Sequence, residues 1–121
     1  MPKFGDFDND GFQDVYIVNG TWVPNEVSPS NLFFRNRGDG TFEEATDAFG
    51  LTDYLITAAA SEIDLDNDGD LDFLIAPVNG PVMNFINNSA TGNAMVFAFG
   101  DRIGNRFGIG NRIVAKVGER M

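Results

Sequence analysis

The sequence predicts an all-β fold of short antiparallel hairpins repeated along the chain. Three observations carry this prediction. The nine residues Asp6-Phe7-Asp8-Asn9-Asp10-Gly11-Phe12-Gln13-Asp14 return as Asp64-Leu65-Asp66-Asn67-Asp68-Gly69-Asp70-Leu71-Asp72. Each copy runs directly into a short β-branched or aromatic segment, Val15-Tyr16-Ile17-Val18 or Phe73-Leu74-Ile75-Ala76, which reads as a strand. The copies are 64 − 6 = 58 residues apart, a period of propeller blades or stacked arrays.

Within each copy, Asp occupies loop positions 1, 3, 5 and 9 and Gly occupies position 6. Alternating Asp residues in a tight loop turn their carboxylates toward one centre. Gly11 and Gly69 allow the positive φ of a sharp reversal. The expected ligands are Asp6, Asp8, Asp10 and Asp14 with the Phe12 carbonyl, and Asp64, Asp66, Asp68 and Asp72 with the Asp70 carbonyl. Carboxylates and carbonyls with flexible geometry suit calcium, so two Ca2+ sites are expected. Magnesium demands a stricter octahedron and holds its waters. Zinc is disfavoured in a chain with no Cys and no His. A helix–loop–helix calcium site needs Glu at position 12, where this chain has Ile17 and Ile75. The alternative is a solvated acidic turn, since Asp and Gly favour turns in any case.

The 121 residues suffice for one small domain. Eighteen acids against eight bases give a net charge of −10, and two calcium ions would bring it to −10 + 4 = −6. With no basic stripe, nucleic acid is a poor partner. A hydrophobic content of 43% with 12 Phe supports a packed core. The absence of Cys excludes a disulfide scaffold and a thiol nucleophile. No run of 18 apolar residues predicts a membrane span, and no signal peptide is visible after Met1. Calcium loops of modest affinity are useful where calcium is plentiful, so an extracellular, cell-surface or periplasmic location is expected. Two glycosylation sequons begin at Asn19 and Asn87, a pattern common by chance.

A second feature also repeats. Residues 31–36 and 82–88 both read as a strand ending in Asn, and Gly38-Asp39-Gly40 predicts a tight hairpin between about 32–36 and 41–45. The small-residue segment 57–63 precedes the second Asp loop and is expected as an inner strand, despite the helix preference of Ala. Residues 20–30 form a long Pro- and Ser-rich loop with the single Trp, Trp22, which either packs as a lid or stacks on a ligand. Beyond Asn93, residues 94–99 and 113–117 read as strands around a glycine-rich connection. Its glycine spacing does not fit a dinucleotide loop, and no helix follows. Arg102, Arg106, Arg112, Lys116 and Arg120 cluster there, opposite in sign to the acidic half.

These residues resemble the FG-GAP/VCBS repeat family. Phe4-Gly5 precedes the first Asp loop, Ile75-Ala76-Pro77 follows the second, and Asn36-Arg37-Gly38-Asp39-Gly40-Thr41-Phe42 is similar to the turn of VCBS-type repeats. The segment 105–117 is similar to the opening of the ASPIC/UnbV domain of cartilage-acidic-protein-like extracellular proteins. The resemblance implies blades of four antiparallel strands, with calcium in the loop joining the first two. It divides the chain into an incomplete first repeat over 1–50 that lacks its first strand, a second over 51–92, and a truncated ASPIC/UnbV-like segment over 93–121. Two blades leave apolar faces and strand edges open. A homo-oligomer, or the missing blades of a larger protein, is therefore expected to complete the ring. The function expected is adhesion, or binding of a protein or glycan ligand, with calcium structural and no catalysis. One alternative is a structural fragment of a larger propeller protein with no ligand of its own. The enzymatic alternative, a calcium-dependent lyase or glycoside hydrolase, would draw on Glu43, Glu44 and Glu62, which lie outside the Asp loops.

Overall fold

The computed structural model describes residues 1–20, 29–78, 80–89, 94–100, 104, 105 and 107–116. Its strands are β1 (Pro2–Gly5), β2 (Asp14–Ile17), β3 (Leu32–Asn36), β4 (Phe42–Glu44), β5 (Thr57–Ile63), β6 (Asp72–Pro77) and β7 (Met83–Phe85). Among the described residues there is no helix, and none forms a membrane-crossing one. The strands make two antiparallel sheets, ordered β1-β2-β3-β4 and β5-β6-β7.

Each Asp loop closes a hairpin, as expected. Gly5 pairs with Asp14 across the first loop and Ile63 pairs with Asp72 across the second. Each loop takes two left-handed positions, Asn9 (φ 54°) and Gly11 (φ 94°) in one, Asn67 (φ 62°) and Gly69 (φ 94°) in the other. Asn is the non-Gly residue best suited to that region. The hairpin at 37–41 closes with Arg37 N–H donating to the Thr41 carbonyl at 3.0 Å. Inside it the Asp39 carboxylate accepts the Thr41 N–H and hydroxyl, which hold its acidity above that of an ordinary carboxyl.

Two expectations are corrected. The first sheet is not missing a strand, because β1 lies ahead of the Asp loop and is held along its whole length by β2. Residues 94–99 and 113–116 form no strand. Their side chains stay largely in solvent, and no described sheet edge offers them a ladder. The glycine-rich connection is a local turn instead, in which Asn105 Oδ1 accepts the Ile109 N–H at 2.9 Å. Trp22 and Arg102, Arg106 and Arg120 lie outside the described residues.

The core lies between the two sheets. Phe7, Tyr16, Phe33, Phe73 and Ile75 are buried, with Val18, Ala45, Leu51 and Ala60 around them. The rings form a chain across the interface. Phe33 meets Phe7 edge-on at 5.8 Å, Phe7 lies 4.4 Å from Phe73, and Phe73 lies 4.3 Å from Tyr16. Such contacts add to the burial energy of the rings themselves. A polar tie backs this core, where the buried Asn31 amide donates to Asp53 at 2.9 Å and Thr57 at 3.0 Å. Beside the rings opens a cleft of about 570 Å³, bordered by Phe49, Leu51, Phe85, Ile86 and Asn88.

Candidate metal centre

Both Asp loops are built from the same local bonds. The Asp6 carboxylate accepts the N–H groups of Asp10 (3.0 Å) and Gly11 (2.9 Å), and Asp64 accepts that of Gly69 (3.2 Å). Asp10 accepts the Phe12 N–H and Asp68 the Asp70 N–H, each at 2.9 Å. A short carboxylate that caps backbone donors two to five residues ahead favours a turn over continued strand.

Position 9 has a larger task. Asp14 is 0% and Asp72 is 1% exposed. Asp14 accepts the N–H groups of Phe7 (3.1 Å) and Asn36 (2.8 Å), and Asp72 accepts those of Leu65 (2.7 Å) and Asn87 (2.7 Å). The amides of Asn36 and Asn87 answer by donating to the carbonyls of Gln13 (3.0 Å) and Leu71 (3.2 Å). One carboxylate therefore clips the start of its loop to the end of the third strand, in both sheets. Burial pushes the Asp14 carboxyl up, against the two backbone donors, and the charges of Asp8 and Asp10 add to the rise.

The structure draws three carboxylates together in each loop. Oxygens of Asp6, Asp8 and Asp14 lie within 4.8 Å of one another, as do those of Asp64, Asp66 and Asp72. Asp10 and Asp68, predicted as equal members, fall outside these trios, and each accepts a backbone N–H of its own turn. The position-7 residues serve elsewhere through their side chains. The exposed Phe12 ring covers Gly38, where a Cβ would come within 2.6 Å of it, and Asp70 accepts a bond from Asn9. Each trio is an all-oxygen, multiply anionic donor set, which matches a hard divalent cation. Desolvation and the neighbouring Asp68 charge push the Asp66 carboxyl up, a repulsion that a cation would relieve. The Asp64 Oδ1 is enclosed and accepts no hydrogen bond, so a lone pair is available there. The residues present fit calcium.

Three contacts that sequence reasoning missed join or surround the loops. Asn9 Nδ2 donates to Asp70 Oδ1 at 2.5 Å, linking the first loop to the second. Asn87 Nδ2 also donates to the Phe7 carbonyl at 2.7 Å, so the second clip reaches back to the first loop. Arg35 on β3 donates from Nε to Asp8 Oδ2 at 2.5 Å and from Nη2 to Asp10 Oδ2 at 3.3 Å. The Asp8 contact holds the guanidinium even more firmly charged than usual. The recurring strand-final Asn was a partial signal for the clip. No sequence signal pointed to Arg35.

A family model for FG-GAP-like repeats matches residues 6–75. The chain belongs to the FG-GAP-like repeat family. FG-GAP repeats are blades of β-propellers, so the two antiparallel sheets are two blades of a partial propeller. The match begins at the first Asp loop and ends in β6, thus containing both FG-GAP Asp loops. No curated protein and no solved structure matches the chain.

Proposed function

We propose that this chain is a calcium-stabilised, extracellular propeller-type module for adhesion or for binding a protein or glycan. The observation that carries the reading is the same carboxylate trio at the same place in both blades. Asp6, Asp8 and Asp14 would hold one ion, and Asp64, Asp66 and Asp72 the other. Asp10, Asp68 and the carbonyls of Phe12 and Asp70 would complete the six to eight oxygens that calcium takes. The ion would supply charge neutralisation, with calcium structural and no catalysis. The chain's own Asp14 and Asp72 set the loop against the third strand, ready for the ion.

Recognition in this reading falls to residues 20–30, of which 21–28 lie outside the described residues. The acids of the enzymatic alternative have structural occupations. Glu43 pairs with Arg37, Glu44 accepts the Thr46 N–H, and Glu62 pairs with Lys3. A calcium site of modest affinity fits a location where calcium is in the millimolar range. The remaining blades would come from further copies or from a longer chain.

Thermal unfolding by circular dichroism in millimolar calcium and in EDTA tests the ion. At free calcium tenfold above the dissociation constant each site adds about 1.4 kcal/mol. On a domain of this size that is a rise in Tm of several degrees. Superimposable melts overturn the calcium reading. Light scattering of the calcium-loaded chain tests the assembly, where a mass above the monomer's supports a ring of copies and a clean monomer assigns the missing blades to other sequence.

A further inference from the structure

We propose that Arg35 is a tethered counter-cation of the first Asp loop, which makes that loop the weaker of two unequal calcium sites and the one that keeps its shape without calcium. The inference rests on the calcium reading above.

The two loops share their spacing, trios and clips, but not their charge. Arg35 precedes the clip residue Asn36 and is paired in register with Glu43 on β4, so its backbone is fixed by both neighbours. From there it reaches Asp8, a trio member, and Asp10, the position-5 acid. The equivalent position ahead of Asn87 is Ile86. Among the described residues, no Lys or Arg pairs with Asp64, Asp66, Asp68, Asp70 or Asp72. Counting nearby charges, the first loop carries four carboxylates and one guanidinium, −4 + 1 = −3, while the second carries five carboxylates, −5.

Two consequences follow from Coulomb's law at partly desolvated sites. A divalent cation is drawn more strongly to the second loop. At the first loop it must displace a guanidinium from Asp8, whose side chain is only 8% exposed. The exchange is sterically open, because the Arg35 side chain is 42% exposed and can swing into solvent. In the absence of calcium the roles reverse. A buried carboxylate stripped of its partner is strongly destabilising. Arg35 spares Asp8 that fate, while among the described residues the second loop receives from its neighbour the uncharged Asn9 amide, directed at Asp70.

Calorimetric calcium titration decides the matter. Asp66→Ala removes a trio member of the second loop and leaves the first loop to be read alone. In that background Arg35→Ile, which installs the second blade's residue, is expected to tighten the remaining site by about fivefold, the scale of one partly exposed charge pair. Arg35→Gln, which keeps a polar stem without charge, is expected to act in the same direction. Both changes should lower Tm in EDTA more than in saturating calcium. Where the EDTA form does not fold, chelator competition from the calcium-loaded side gives the same affinities. Unchanged or weaker binding in both variants overturns the role of Arg35 while leaving the calcium sites in place. The absence of any calcium heat in the unmodified chain overturns the calcium reading and this inference together.

Discussion

The strands that follow the two Asp loops bury opposite faces. Stepping 58 residues from β2 to β6 superimposes Asp14 on Asp72, Val15 on Phe73, Tyr16 on Leu74 and Ile17 on Ile75. In β2 the fully buried hydrophobic side chain is Tyr16, and Val15 and Ile17 are half-buried. In β6 Phe73 and Ile75 are buried, and Leu74 is 37% exposed. One repeat thus turns inward what the other turns outward. The reason is that blades stack front to back, so the face of one lies on the opposite face of the next. The Tyr16 and Phe73 rings meet across that plane. A blade therefore carries two apolar faces, and with two blades one face of each lacks a neighbour. Leu74, exposed on β6 and paired in register with the exposed Asn84 on β7, lies on that surface of the second blade.

Alanine substitution at matched positions gives the largest expected effects and the most direct way to break the comparison. Tyr16→Ala and Phe73→Ala should each cost about 3–5 kcal/mol, as buried aromatic truncations do. Their partners Leu74→Ala and Val15→Ala should cost about 1 kcal/mol or less. Denaturant unfolding measures all four. Equal losses for Tyr16→Ala and Leu74→Ala would mean that the outer face of the second blade is covered in solution.

The clips should behave alike where the faces do not. Asp14→Ala and Asp72→Ala each remove the carboxylate that accepts two backbone N–H groups. Each donor left unpaired in a buried setting costs about 1–3 kcal/mol, so losses of about 2–6 kcal/mol are expected for both variants. Measured in EDTA, these losses are separated from any effect on calcium. A loss confined to one blade would show that the repeated bond pattern is not equally important in both.

The smallest effect is confined to the first blade and to alkaline solution. Burial, and next the Asp53 charge, push the Tyr16 phenol well above its ordinary value of 10.0. The native state thus favours the neutral phenol. The corresponding stability is complete below pH 10 and is lost as pH climbs from 10 toward the folded value. Unfolding free energy should fall by about 1.4 kcal/mol per pH unit in that window. Tyr16→Phe should flatten this slope, and at pH 7 it should cost little, because the hydroxyl has no partner in good hydrogen-bond geometry. A slope unchanged in Tyr16→Phe would place the alkaline transition on another group.

Local chemistry was legible in the sequence, and long-range placement was not. The Asp loops, β2, β6 and the β3–β4 hairpin follow from turn residues flanking β-branched and aromatic runs. β5 was legible only through its position ahead of a loop, since Ala58, Ala59 and Ala60 favour helix by themselves. β1 was missed because Pro2-Lys3-Phe4-Gly5 has no apolar alternation, and its ladder with β2 supplies what propensity does not. The segments at 94–99 and 113–116 have strand composition without a strand, because strand propensity depends on its context and these side chains stay in solvent. In the two loops, spacing singled out eight acids, but not which six of them the fold would draw into the trios. Asp10 and Asp68 cap their own turns, a competition that spacing cannot rank. Arg35 lies 27 residues from Asp8 and reaches it only through the β2–β3 register.

The Asp–Asn clip spans 36 − 14 = 22 residues in the first blade and 87 − 72 = 15 in the second, yet its Asn N–H bonds measure 2.8 and 2.7 Å. The connection between the paired strands is 14 residues long in the first blade (18–31) and 5 in the second (78–82), which more than accounts for the difference. The same clip thus closes over connections of different length. Loop length costs only about 0.6 kcal/mol per doubling, so this crossing is the natural splice point for a grafted epitope, reporter peptide or recognition sequence, with the blade serving as an interchangeable cassette.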